Sequence, residues 1–197
     1  HAFSRIMAAA FAGQGLKTES LELGREEAIR YGKQYVHNDI CFPAQMVIGE
    51  ALSALKSGRY DLDHVAIGMG KYVGDCRLTH YSKLLRKALD DAGFANVPIL
   101  TNDDQDPHQI HPGFQMNLIT AMRIAFALPM IDALEGLLRK IRPYELEKGS
   151  ADQAFEKGMD VLCQGLESRG IPGAKKGFAK AIEYLKQVPY DRSRKRP

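Results

Sequence analysis

His64-Val65-Ala66-Ile67-Gly68-Met69 is a short apolar run, and Val97-Pro98-Ile99-Leu100-Thr101 is a second. Between them, residues 79–92 have helical composition and stop at Gly93. A strand, a helix and another strand in that order predict a parallel crossover, because such a connection needs a helix-length return. Further toward the N-terminus, residues 43–56 carry Met46, Val47, Leu52 and Leu55 at helical spacing. Pro43 stands where a first helical turn tolerates proline. Residues 25–36 again read as helix, and 18–23 alternate as a strand does, with Leu21 and Leu23 against Ser20 and Glu22. Residues 2–12 read as a helix closed by Gly13-Gln14-Gly15. This order predicts an α/β fold over residues 1–113, an open, mostly parallel Rossmann-like sheet with flanking helices. From 114 to 190 the pattern is helical, with breaks at Arg142-Pro143, Lys148-Gly149 and Gly170-Ile171-Pro172-Gly173. That stretch predicts a helical subdomain, and 191–197 a basic linker end.

Composition narrows the function classes. The chain has 197 residues, 45% of them hydrophobic, which suffices for a sizeable core. A net charge of +3 is too small to argue for nucleic acid. Outside Arg192-Ser193-Arg194-Lys195-Arg196 the basic residues are scattered, and that tail reads as a solvated linker end before a phosphate-binding arm. Three cysteines do not make a secreted disulfide framework, so a reducing, cytoplasmic setting is expected. The apolar stretch 124–131 is too short to span a bilayer and contains Pro129. No signal peptide opens the chain, and a helical start at His1 without methionine predicts a piece of a longer protein.

The candidate chemistry lies in two loops, Ile40-Cys41-Phe42-Pro43 and Gly74-Asp75-Cys76-Arg77. Each cysteine precedes a predicted helix, where unpaired N–H groups and the positive end of the helix dipole stabilise a thiolate. In a parallel α/β sheet both loops fall on the strands' carboxyl edge, the edge that binds ligands. Two thiols facing one space suggest a metal or an iron–sulfur cluster. The plainer reading is that both are small buried hydrophobes, as most free cysteines are. Cys163, inside a helical run, has that plainer reading. A structural zinc site is disfavoured, because no close Cys-x-x-Cys pairs occur. His37 and His80 flank the loops and are candidate ligands, as are His108 and His111, although surface or loop roles explain all four. Gly68-Met69-Gly70-Lys71 is no phosphate loop: the first glycine is missing and Tyr72 stands where Ser or Thr is needed.

An ordered series runs through these loops: Cys41-Phe42-Pro43, Gly49, Gly74-Asp75-Cys76-Arg77 with Tyr81, Leu89-Asp90-Asp91-Ala92-Gly93-Phe94, and Val97-Pro98-Ile99. It resembles the dehydratase-subunit-like C-terminal region of the large activase-like proteins of the 2-hydroxyacyl-CoA dehydratase system, and continues through Ile141-Arg142-Pro143-Tyr144-Glu145. The family's second loop usually has proline before the cysteine and Phe-Gly-Gln after the arginine; here Asp75 and Leu78-Thr79-His80 stand there. The resemblance implies a cytoplasmic, mostly anaerobic protein and a cubane 4Fe–4S cluster. Cys41 and Cys76 are then metal ligands, Arg77 is a cation beside the anionic cluster, and a third ligand comes from the rest of a longer polypeptide, a second subunit or Cys163. It also implies ATP-dependent electron transfer to CoA thioesters, with an ATPase module and a dehydratase-like subunit or a second copy as partners. The rival expectation is a non-catalytic scaffold that docks the ATPase module or a dehydratase partner.

Overall fold

The computed structural model describes residues 2–21, 26–70, 74, 76–101 and 116–193. Its elements are α1 (Ala2–Ala12), α2 (Glu26–Tyr35), α3 (Phe42–Lys56), β1 (Ile67–Gly68), α4 (Tyr81–Asp91), β2 (Ile99–Leu100), α5 (Leu118–Ile141) and α6 (Ser150–Lys186). Short 3-10 turns cover Arg77–His80 and Arg142–Tyr144. One compact unit takes the described residues of His1–Ser20 and Met116–Pro197, the other those of Leu21–Gln115. Unit membership therefore does not follow sequence order, since α1 packs with α5 and α6.

In the unit of α2, α3 and α4, α2 and α3 form an antiparallel hairpin. A Cβ on Gly49 would overlap the Ala28 carbonyl, and one on Gly32 the Gln45 carbonyl, so the two helices meet backbone to backbone. Their outer contacts join Ile48 and Leu52 to Leu85 and Leu89 of α4 and to Val97 and Ile99, all essentially buried. Each such side chain contributes about 1.5–3 kcal/mol on leaving water. β1 and β2 pair in parallel, Ile67 opposite Ile99 and Gly68 opposite Leu100. The ladder bonds run from Ile67 N–H to the Pro98 carbonyl at 2.9 Å and from Met69 N–H to the Leu100 carbonyl at 2.8 Å.

The expected open Rossmann-like sheet is overturned. Among the described residues 68% are helical and 4% strand, and the sheet has two strands only. The apolar runs at 64–69 and 97–101 do contain the strands, but pairing is confined to two residues in each. Pro98 has no N–H to extend the ladder, and Gly68 brings no side chain to pack on a sheet face. Residues 18–21 form no strand, and the rest of the predicted 18–23 strand lies outside the described residues. The helical hairpin, not a sheet, frames this unit.

The other unit is built from α1, α5 and α6. α6 is two helical arms: at Gly170 the backbone adopts φ 61° and ψ −142°, and the chain reverses. A positive φ costs glycine little and other residues much. Beyond the reversal, Gly173 meets Gly165, Gly177 meets Val161 and Leu162, and Ala181 meets Gly158, the spacing of antiparallel helices in close contact. Leu162 and Leu166 of the first arm and Leu185 of the second share a buried core with Ile6 of α1 and Leu134 of α5. Thr120, fully buried, donates its hydroxyl hydrogen bond to Gln14 Oε1 at 2.8 Å and ties the end of α1 to the start of α5. No helix among the described residues is long and apolar enough to cross a membrane.

Candidate functional site

Cys41 is the N-cap of α3, extended at φ −59° and ψ 142°, with proline in the first turn behind it. Cys76 caps the 3-10 turn that leads into α4, at φ −78° and ψ 142°. Each cysteine carbonyl accepts the first N–H of its turn, from Ala44 at 3.0 Å and from Thr79 at 3.2 Å. Neither side chain closes the cap, so both sulfurs sit at open helix starts.

Three contacts join the two turns. Arg77 Nη1 donates to the Asp39 carbonyl at 3.1 Å, which holds the Cys76 turn against the loop carrying Cys41. Tyr81, the first residue of α4, places its hydroxyl 2.9 Å from Cys41 Sγ. Gln45, buried in the first turn of α3, donates to the carbonyls of His37 at 3.4 Å and Ile40 at 3.3 Å and braces the Cys41 loop. The Tyr81 ring is buried, Cys41 half-buried and Cys76 exposed.

The electrostatics follow from this geometry. The Tyr81 hydroxyl and then the Ala44 N–H hold the Cys41 thiol below its ordinary value of 9.0, with Arg77 adding a smaller attraction. These are the donors that favour a thiolate over a thiol. Tyr81 is pushed up to about 12, first by burial, then by its bond to Cys41 and the negative charge of Cys41 and Cys76. At neutral pH the tyrosine is therefore protonated and able to donate to the sulfur. It feels both thiols, which places Cys41, Cys76 and Tyr81 in one electrostatic neighbourhood.

Of the residues singled out from sequence, Cys41, Cys76 and Arg77 lie in this cluster. His37 is exposed and accepts the Asp39 N–H at Nδ1, 3.2 Å away, so that nitrogen serves its own turn. His80 is exposed and caps α4 without a side-chain bond. Asp75, His108 and His111 lie outside the described residues. Cys163 sits in the first arm of α6, where burial pushes its thiol up to about 11. Among the described residues no group of three or more His, Cys, Asp and Glu side chains is placed to hold a metal ion.

Tyr81 and Gln45 are the parts that sequence reasoning did not assign. The signal for Tyr81 was its place five residues beyond Cys76, at a helix start, with a hydroxyl on an otherwise core-forming ring. Gln45 is a polar residue four positions beyond Cys41, one helical turn away, and so on the face that carries the loop. Comparison with protein-family models, curated proteins and solved structures gives no match to this chain.

Proposed function

We propose that this chain supplies Cys41 and Cys76 as two thiolate ligands of a cubane iron–sulfur cluster, with Arg77 as a neighbouring cation. It does so in an activase-like protein of the 2-hydroxyacyl-CoA dehydratase system. The observation that supports the reading is that two cysteines, each at an open helix start, are held in one loop cluster by the Arg77 bond to Asp39 and share Tyr81. The same reading places the chain in a reducing, cytoplasmic compartment, beside an ATPase module and a dehydratase-like subunit.

The donor chemistry fits two positions of a thiolate-bound cluster, and the remaining ligands come from outside the described residues. A bound cluster supplies one-electron transfer, here directed at CoA thioesters. The chain's own residues favour the ionised form of Cys41 and hold the Cys76 turn beside it. Tyr81 places its hydroxyl on the Cys41 sulfur, the Ala44 N–H donates to the Cys41 carbonyl, and Arg77 both fixes the loop and offsets negative charge. The limit of two ligands favours a second reading, the docking scaffold, in which the thiols bind nothing.

Anaerobic reconstitution of the full chain with iron and sulfide separates the two. Bound iron with broad visible absorption is expected in the parent chain and in Cys163→Ser, and its loss in Cys41→Ser and in Cys76→Ser. Full iron and an unchanged spectrum in both loop variants discard the cluster in favour of the scaffold.

A further inference from the structure

α5 carries apolar residues on two faces between residues 118 and 134. One face packs on α1 and α6 through Ala127, Ile131 and Leu134. The opposite face carries Leu118, Ile119, Met122 and Phe126 at 77%, 62%, 53% and 46% exposure, followed by exposed Pro129 and Ala133. A contiguous exposed apolar stripe marks an interaction surface.

At its N-terminal end the stripe opens into a shallow groove of about 300 Å³, where Ile119 and Met122 face Ile171 and Pro172 at the reversal of α6. Arg123 and Arg169 line the same groove, and no carboxylate among the described residues lines it. The Arg123 guanidinium is lodged between Gly13 and Gly170, where a Cβ on either glycine would crowd it. Among the described residues neither arginine has an acidic partner. Lys175 lies over the Phe126 ring, 5.1 Å from its centroid, and adds a third cation beside the stripe. The nearest carboxylates in sequence, Asp132 along α5 and Glu167 before the reversal, stand outside the groove.

We infer that the stripe of α5 and the groove at the α6 reversal dock an amphipathic helix of a partner protein, one whose apolar face is flanked by acidic residues. Apolar anchors of such a helix fill the groove between Met122 and Ile171, and its carboxylates meet Arg123, Arg169 and Lys175. A second copy of this chain is a poorer occupant, because a two-fold pairing would set the same arginines against each other. A bilayer is poorer too, because a concave slot between helices receives side chains rather than a lipid surface.

The test uses the full chain and two fluorescent synthetic helical peptides. Both carry leucines at i, i+4 and i+7; one is flanked by glutamates, the other by lysines. The glutamate peptide is expected to bind, and the lysine peptide not to. Met122→Glu should weaken the glutamate peptide by about tenfold or more. Arg169→Glu should weaken the glutamate peptide and gain affinity for the lysine peptide. Both positions are exposed, and circular dichroism checks that the helices persist. Equal affinity for the two peptides, or no effect of either substitution, overturns the inference. A dimer in sedimentation that Met122→Glu dissociates overturns it in favour of a second copy. Adsorption to phosphatidylglycerol vesicles that Arg169→Glu abolishes overturns it in favour of a membrane surface.

Discussion

Cys41 and Cys163 are both free thiols, yet their surroundings push their acidities in opposite directions. Cys163 stands in mid-helix, where the N–H groups already serve the helix and burial only removes water. Cys41 stands one residue before a helix, at its N-terminal N–H end, and a tyrosine hydroxyl reaches the sulfur. The two units share a construction, glycine-lined helix seams, and differ in what they place at helix ends. In the unit of α5 and α6 the end is filled by a carboxylate: Glu145 accepts from Gly149 N–H at 2.7 Å and Ala151 N–H at 2.8 Å at the start of α6. In the unit of α3 and α4 the ends are left to thiols. Helix seams give stability, and helix starts set reactivity.

If the seams are equivalent, both must resist a side chain. Gly49→Val in the α2–α3 seam and Gly177→Val in the α6 seam should each lower stability by about 3 kcal/mol or more, read by urea unfolding. A cost below about 1 kcal/mol for either would remove that seam from the comparison. The thiol contrast comes next. With Cys163 at about 11 and Cys41 below 9.0, the thiolate population at neutral pH is about a hundredfold larger or more at Cys41. The lower nucleophilicity of the more acidic thiol reduces this to about tenfold in alkylation rate. Peptide mapping after iodoacetamide treatment of the metal-free chain reads that ratio, and equal rates would break the comparison.

Glu145 tests whether the helix-start rule holds in the unit without the thiol cluster. Its backbone donors hold the carboxyl below the ordinary 4.5, so its contribution is fully present above the unfolded value and is lost as pH falls through the lower folded one. Glu145→Gln should cost about 1 kcal/mol at neutral pH and less at acid pH, where both side chains are neutral. A pH-independent cost would mean that packing, not the cap, is lost. The smallest effect belongs to Tyr81→Phe, which removes the first cause of Cys41 acidity. The thiol should titrate higher, and alkylation at pH 7 should slow by about threefold.

The sequence showed the local punctuation well and the long-range partnerships poorly. Pro43, Gly93 and the break at Gly170-Ile171-Pro172-Gly173 stand where helices begin, end or reverse, because proline and glycine act on the residues next to them. The two apolar runs contain β1 and β2, yet Pro98 and Gly68 kept them too short to build a sheet. That α6 returns on itself was present in the sequence as Gly158, Gly165, Gly173 and Gly177, a spacing that reads as helix weakening until the arms are laid antiparallel. The packing of α1 on α5 and α6 had no local signal. For the candidate site, the cysteine and arginine positions were legible as loop residues before helices. The donor role of Tyr81 was not, since it depends on α3 and α4 meeting.

The reversal at Gly170 also sets an order of events for the nascent chain. The α6 arms touch between residues only 8 to 23 positions apart, such as Gly165 with Gly173 and Gly158 with Ala181, so they close early and at little loop entropy. α1 meets the chain just after it through Ser4 with Ser20 and Thr18 with Ala8, but Arg5 finds Glu156 across a separation of 151 residues. At ribosomal elongation rates that separation takes roughly 8 to 30 s. Through that interval Ile6, Ala9 and Ala10 are synthesised but lack the α6 residues they pack with. α1 is thus made well before the α6 residues it packs on, and its apolar face is the surface that a chaperone would have to guard in the meantime.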